Sequence, residues 1–465
     1  MKTDRIKLMS EAPVSKALFQ LGIPMVISML VTALYNVVDT YFVSGLGKQA
    51  VAAVSVAFPI SLIFSGIGLT FGAGAGSYIS RLLGKKDKEM AERVASTAMF
   101  SSIVIGMLVA VMLLLALNPV LKFMGAIPSI FDLAKDYAVL FIISTVFSTA
   151  NVTAGNLAVA QGASNISLTA MISGSVLNVI LDPICITSLN MGVRGAAVAT
   201  LISQIVTSAI YVWFFVGGKS YLRIALSKFK PSAGIYGEIL KVGVSMLLLQ
   251  LLSSLSMSRI SAAAGVYGED AIAAMGIVLR IVTLGVNVVF GYMKGFQPMA
   301  GFNYGAKNYS RLNEAIRSCM KWTTIFCVAW TILIFLLATP ILSLFGDDPQ
   351  VLEIAVPALK ANTILFFTFG FHFTYSTLYL SMGKALGGGF LNICRQGIMF
   401  MPVILILPSI WGLNGVIYAQ AVADILTTLV TVLFAVHIHK ELRKEINKKA
   451  DLNGDYSLTD ATKRN

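Results

Sequence analysis

Apolar residues in this chain come in long charge-free runs divided by short polar loops. Val94 to Leu121, Tyr137 to Leu181, Gly195 to Gly218 and Trp322 to Gly346 each reach the roughly 20 residues that span a bilayer. Tyr137 to Leu181 is long enough for two spans, with a polar break at Gln161-Gly162-Ala163-Ser164-Asn165. Continued along the chain, the pattern predicts twelve helices. They fall near 17–43, 50–78, 94–117, 136–158, 165–188, 194–216, 238–263, 271–298, 318–339, 353–381, 386–409 and 416–437. The expected fold is an all-α integral membrane protein.

The pattern also repeats. Gly47-Lys48-Gln49-Ala50-Val51-Ala52-Ala53 returns 221 positions later as Gly268-Glu269-Asp270-Ala271-Ile272-Ala273-Ala274. Pro119, Gly125 and Pro128 recur at the same offset as Pro340, Gly346 and Pro349. Six helices return a chain to its starting side. The two copies should therefore be six-helix lobes related by a pseudo-two-fold axis along the membrane normal. The expected units are an N-terminal lobe (1–216), a linker (217–237), a C-terminal lobe (238–437) and a basic tail (438–465), disordered from Asp451 onward.

Composition narrows the class. Hydrophobic residues make up 57% of the 465 positions and charged residues 12%, too few for a soluble surface. The net charge of +13 does not point to nucleic acid. Basic residues fill the N-terminus, the loop at Lys85-Lys86 and Lys88, the linker, the loop at Lys307 and Arg311, and the tail. Alternate loops hold few, and those at Glu269-Asp270 and Asp347-Asp348 are acidic. By the positive-inside bias both termini are cytoplasmic, in a multi-pass protein of the cell membrane. Four cysteines without Cys-x-x-Cys spacing predict neither disulfides nor a zinc site. The run Gly66-Ile-Gly-Leu-Thr-Phe-Gly-Ala-Gly-Ala-Gly lacks the strand and the Lys-Ser/Thr of a phosphate loop, and reads as close helix packing. No cofactor is expected, and no nucleophile-base or His/Glu metal pair suggests an enzyme.

Chemistry concentrates in the first copy. Asp39 and Asp182 lie inside apolar spans, where an ionisable residue costs about 2.5–3.5 kcal/mol and is a functional candidate. Their second-copy counterparts are apolar: Ile260, and Pro402 or Val403. Asp39, Asp182 and Thr200 each lie about six residues from an outer helix end, roughly 9 Å deep at 1.5 Å per residue. Asn36 shares a helical face with Asp39, and Asn178 with Asp182. Such a group either shares a proton released on opening, or holds a sodium ion through its oxygens. A structural hydrogen-bonded cluster is the plain alternative. Pro24, inside the first span, removes a backbone donor and predicts a bend there.

These residues and the local motifs resemble the multidrug and toxic compound extrusion (MATE) transporters over nearly the whole chain. The motifs are Leu-Tyr-Asn-Val-Val-Asp (34–39), Arg-Leu-Leu-Gly-Lys-Lys-Asp (81–87), Leu-Asn-Val-Ile-Leu-Asp-Pro (177–183) and Gly-Phe-Asn-Tyr-Gly-Ala-Lys (301–307). The DinF-like branch looks closest. The resemblance implies a cation site at Asp39, Asn178, Asp182 and Thr200, a helix-four tyrosine at Tyr137 and a helix-one proline at Pro24. It further implies a V-shaped monomer exporting amphipathic, often cationic compounds by H⁺ or Na⁺ antiport.

The departures lie in the second lobe. It carries Arg259, Arg280, Lys360 and Arg395 within spans, with Asp424 the nearest counter-ion, and His372 central to helix ten. Lys294 stands where similar sequences often carry an acid or amide. Snorkelling or pairing explains such cations singly. Together they keep open export or flipping of an anionic, zwitterionic or lipid-linked amphiphile. His372, on a phenylalanine-rich stretch, reads as packed core before proton relay. A channel is disfavoured, because nothing repeats as a pore-lining ring.

Overall fold

The computed structural model describes residues 2–346 and 348–452. Asp347 and residues 453–465, where the sequence predicts disorder, lie outside the described residues. The first copy comprises α1 (Lys2–Ser10), α2 (Val14–Ser44), α3 (Lys48–Gly84), α4 (Lys88–Leu115), α5 (Leu117–Phe123), α6 (Phe131–Ala160), α7 (Ser164–Pro183) and α8 (Val193–Val216). The second comprises α9 (Ala233–Gly265), α10 (Glu269–Gly305), α11 (Tyr309–Ser343), α12 (Pro349–Thr363), α13 (Phe366–Ser381), α14 (Ala385–Ile393), α15 (Phe400–Trp411) and α16 (Leu413–Leu452). Among the described residues, eleven segments are long and apolar enough to cross a membrane, and α12 with α13, bent by 43°, completes twelve.

Several boundaries differ from the sequence reading: α4 and α11, for example, start at Lys88 and Tyr309 rather than 94 and 318. Helices α3 and α10 run to Gly84 and Gly305, well past the expected ends at 78 and 298. The last helix continues to Leu452 rather than stopping near 437, because its polar end keeps good helix formers (Glu441, Lys444, Glu445). The span expected at 353–381 is broken. Its freed carbonyl at Thr363 accepts a hydrogen bond from Thr331 Oγ1 of α11 at 2.9 Å, so the break costs little even in an apolar surrounding.

The two lobes meet along α2, α3, α9 and α10. Contact is closest at the end of the bundle that carries the inter-lobe linker. A Cβ placed on Gly84 would sit 2.0 Å from Phe302 O, and one on Gly305 would sit 2.0 Å from Arg81 O. Only glycine permits that backbone approach. Gly295 meets Gly22 in the same way, and Gly74 meets the carbonyl of Ile239. The glycine run of α3 is thus a packing surface. Arg81 closes the seam with an ion pair to Glu238 at 2.9 Å, and Ser77 Oγ donates to Leu380 O at 2.6 Å. These cross-lobe contacts all belong to the linker end. At the opposite end α2 is largely exposed, Tyr41 at 72%. Large apolar side chains such as Leu108, Leu336 and Leu433 are exposed along the outer helices, as lipid rather than water would require.

A candidate cation site in the first lobe

Five helix positions converge near the open end of the first lobe. Asp182, on the last turn of α7, is fully buried, and Asn178 one turn earlier is buried beside it. With its amide turned to suit its neighbours, Asn178 donates to Asp182 Oδ2 at 3.0 Å and accepts from the Thr200 N–H at 3.2 Å. Thr200, on α8, is buried. Asp182 Oδ1 has no hydrogen-bond partner. Pro183 follows Asp182, and the next turn widens to π-helical geometry over Ile184–Ser188, a distortion often found at functional sites.

Asp39, on α2, is half-buried and within electrostatic range of Asp182. Tyr137 of α6 is buried, stacks on Phe141 at 4.9 Å between centroids, and lies within range of both carboxylates. No basic residue is paired with Asp39 or Asp182 among the described residues. The group is therefore two acids supported by an amide, hydroxyls and an N–H, with one carboxylate oxygen left over. It can take up a proton or a small cation.

Tyr35 belongs to this group and was not singled out from the sequence. Its hydroxyl hydrogen-bonds with Thr200 and feels both Asp39 and Asp182. The available signal was its spacing, four residues before Asp39 on one helical face. Asn36, expected on that face, is instead exposed and its side chain bonds to none of the cluster. Tyr35, partly buried, takes the place expected of it. A further, half-buried network was also missed: Asn151 Nδ2 donates to Gln204 Oε1 at 2.8 Å, and Ser208 Oγ donates to Asn151 Oδ1 at 2.8 Å. Gln204 is one turn from Thr200, toward the linker end.

Pro24 is buried within a continuous α2, and its carbonyl accepts from Ser28 Oγ at 2.9 Å. The second-lobe residues are elsewhere and do not form one group. Arg395, buried in a π-helical turn over Cys394–Met399, pairs with Asp424 through two hydrogen bonds of 2.8 and 3.2 Å. Gln420 also donates to Asp424, at 2.8 Å, and the guanidinium lies over the Phe369 ring. His372 is buried, with Nδ1 bonded to Thr431 Oγ1 at 2.8 Å. Lys360 reaches over Phe335, while Arg259 and Arg280 are exposed. Lys294 lies between the lobes toward the linker end.

The whole chain is similar to known transporters. "Multidrug export protein MepA" of Staphylococcus aureus (strain MRSA252) is 28% identical over 93% of this chain and 96% of its own. A solved multidrug resistance MATE family transporter of the MOP superfamily, in an outward-facing conformation, superposes with a TM-score of 0.89. It is 29% identical, over 94% of this chain and 98% of that one. A MOP superfamily transporter from Pyrococcus furiosus Vc1, for which reverse polarity of the binding pocket is described as suggesting a different function, gives a TM-score of 0.88. It is 30% identical over the same shares of the two chains. The MatE family model matches residues 24–184 and 243–406, one stretch in each lobe and together well over half of the sequence. With two lobes, twelve spans and this match across both repeats, the chain belongs to the MATE family of multidrug efflux transporters.

Proposed function

We propose that this protein is a secondary active exporter of amphipathic small molecules, of the DinF-like branch, driven by cation antiport through Asp39 and Asp182. It works as a monomer in the cell membrane with both termini cytoplasmic, and needs no cofactor. The observation that carries the reading is Asp182: fully buried, held on one oxygen by Asn178, and unpartnered on the other. A buried carboxylate that had settled into a structural role would have its lone pairs satisfied.

The coupling ion we assign is the proton. Two neighbouring acids, one of them fully buried, without a basic partner favour a shared proton over two negative charges. A sodium ion would draw on both carboxylates together with the Asn178, Thr200 and Tyr35 oxygens. In the cycle, protonation from outside neutralises the pair and lets the open end close, and release inward leaves charges that favour hydration and reopening. One charge crossing about 150 mV supplies roughly 3.5 kcal/mol, enough for a gradient of a few hundred-fold. The seam at Gly84, Gly305 and Arg81–Glu238 is then the cytoplasmic gate, closed while the cation site faces outward.

Efflux from proteoliposomes at fixed pH, with sodium varied against an inert cation, tests the ion. Proton coupling predicts a rate that follows the imposed proton gradient and ignores sodium. A steep sodium requirement that persists with the proton gradient collapsed would overturn it.

A further inference from the structure

Lys294 and Gln297 lie three residues apart on α10 and project from one helical face. They line a tight cavity of about 10 Å³ between the lobes, opposite Ser80 of α3 and Asn156 of α6. The facing groups turn donors back into their own helices. Ser80 Oγ donates to Gly76 O at 2.8 Å and Asn156 Nδ2 to Val152 O at 2.8 Å. The half-buried Lys294 has neither an ion pair nor a hydrogen bond among the described residues. Gln297 Nε2 is buried with no acceptor. Two donors, one of them cationic, thus share a narrow cleft and make no hydrogen bond across it.

We infer that Lys294 and Gln297 form an anion-binding subsite that takes a carboxylate or phosphate oxygen of an amphipathic molecule. The ammonium supplies charge and the amide fixes direction, an arrangement that favours charge-assisted hydrogen bonds over a neutral ester. The position matters as much as the chemistry. The cavity adjoins the closed seam, where Gly295, one residue past Lys294, packs on Gly22. Parting of the lobes there opens the subsite to the linker end, and closing shuts it. Enclosing a cation in an apolar seam is costly unless an opposite charge enters with it. The closed seam leaves room for about one water, so a bound anion favours the parted lobes. Reopening of the empty carrier returns the ammonium to water. A lysine whose head merely reaches water past an apolar stem would not leave the neighbouring amide nitrogen buried and unsatisfied.

This subsite deepens the exporter reading and rests on it for how cargo reaches the cavity, but binding can be measured without transport. The test uses the purified full chain in neutral detergent and two fluorescent probes of one scaffold. One is a rhodamine with a free carboxylate, the other its methyl ester. The wild type should bind the acid about tenfold more tightly than the ester. Lys294→Gln should lose that preference while binding the ester as before, which also shows that it folds. Gln297→Leu should weaken the acid a few-fold and spare the ester. Equal affinity for the two probes in the wild type, or a preference unchanged in Lys294→Gln, would overturn the proposal. A second arm separates a lipid headgroup from cargo as the source of the anionic oxygen. In nanodiscs, Lys294-dependent loss of acid-probe binding in phosphatidylglycerol relative to phosphatidylcholine assigns the subsite to lipid phosphate. Probe binding insensitive to lipid assigns it to cargo. Failure of ion-driven efflux with the acid preference intact would sink the exporter reading and leave the subsite standing.

Discussion

Each lobe buries a carboxylate deep among its helices, and the two are treated in opposite ways. In the second lobe Asp424 is bound to Arg395 through two hydrogen bonds, supported by Gln420, so its charge is answered on the spot. In the first lobe Asp182 has an amide on one oxygen and nothing on the other, and the charge within electrostatic range is that of another acid, Asp39. A neutralised pair has no reason to exchange anything with the solution. An acid without a counter-charge must borrow one, and what it borrows can be carried across. The duplicated scaffold therefore has one lobe with a closed charge account and one that trades.

The largest effect should come from opposite removals in the two lobes. Asp182→Asn keeps the volume and removes the exchangeable charge. Ion-driven efflux should fall to background in proteoliposomes while thermal stability holds. Normal efflux by this variant would break the comparison. Asp424→Asn should do the reverse, stranding Arg395 in an apolar core at a cost of about 3–5 kcal/mol. Its melting temperature and yield should drop, while efflux per folded molecule persists.

A double replacement sharpens the point. Arg395→Met with Asp424→Leu should recover most of that stability, since a buried pair exchanged for apolar residues is often neutral or better. If the double variant folds well yet loses ion coupling, the second lobe takes part in exchange after all. Smaller still is Tyr35→Phe, which deletes one hydroxyl from the first-lobe cluster at about 1 kcal/mol. Efflux should slow several-fold, visible as a shift in the proton gradient needed for half-maximal rate. The smallest effect is expected from Arg81→Ala at the seam. Losing a partly exposed ion pair costs up to about 1 kcal/mol. It should raise cysteine-labelling rates at the linker end without changing which ion is used.

Most of the architecture could be read in advance because charge is so scarce in this chain. Against 57% hydrophobic residues, Asp39 and Asp182 stand out, and helical spacing then brings in Asn178 and Thr200. Tyr35 was harder. An aromatic residue in an apolar run has no charge to betray it, and only the cross-helix bond to Thr200 distinguishes it from Tyr41, which is exposed. Asn36 misled for the same reason in reverse: its polarity suggested membership, while it stands exposed on α2. The break between α12 and α13 has no proline or glycine at Ile364-Leu365. It is held by Thr331 of another helix, a tertiary fact with no local trace. Lys294 drew notice as an odd residue, but the cavity it shares with Ser80 and Asn156 spans both lobes and three helices.

The glycine seam has a consequence for how such a molecule arises. Gly84 and Gly305 are separated by the repeat interval, and so are Arg81 and Phe302, whose carbonyls they meet. Each partner gives the other what it receives. That reciprocity is the signature of an isologous interface, the kind by which two identical subunits form a closed pair. A surface that is self-complementary in this sense survives duplication and fusion without remodelling, because both halves inherit the same fit. Divergence was then free to act away from the axis, leaving a symmetric hinge line between halves whose chemistry has parted ways.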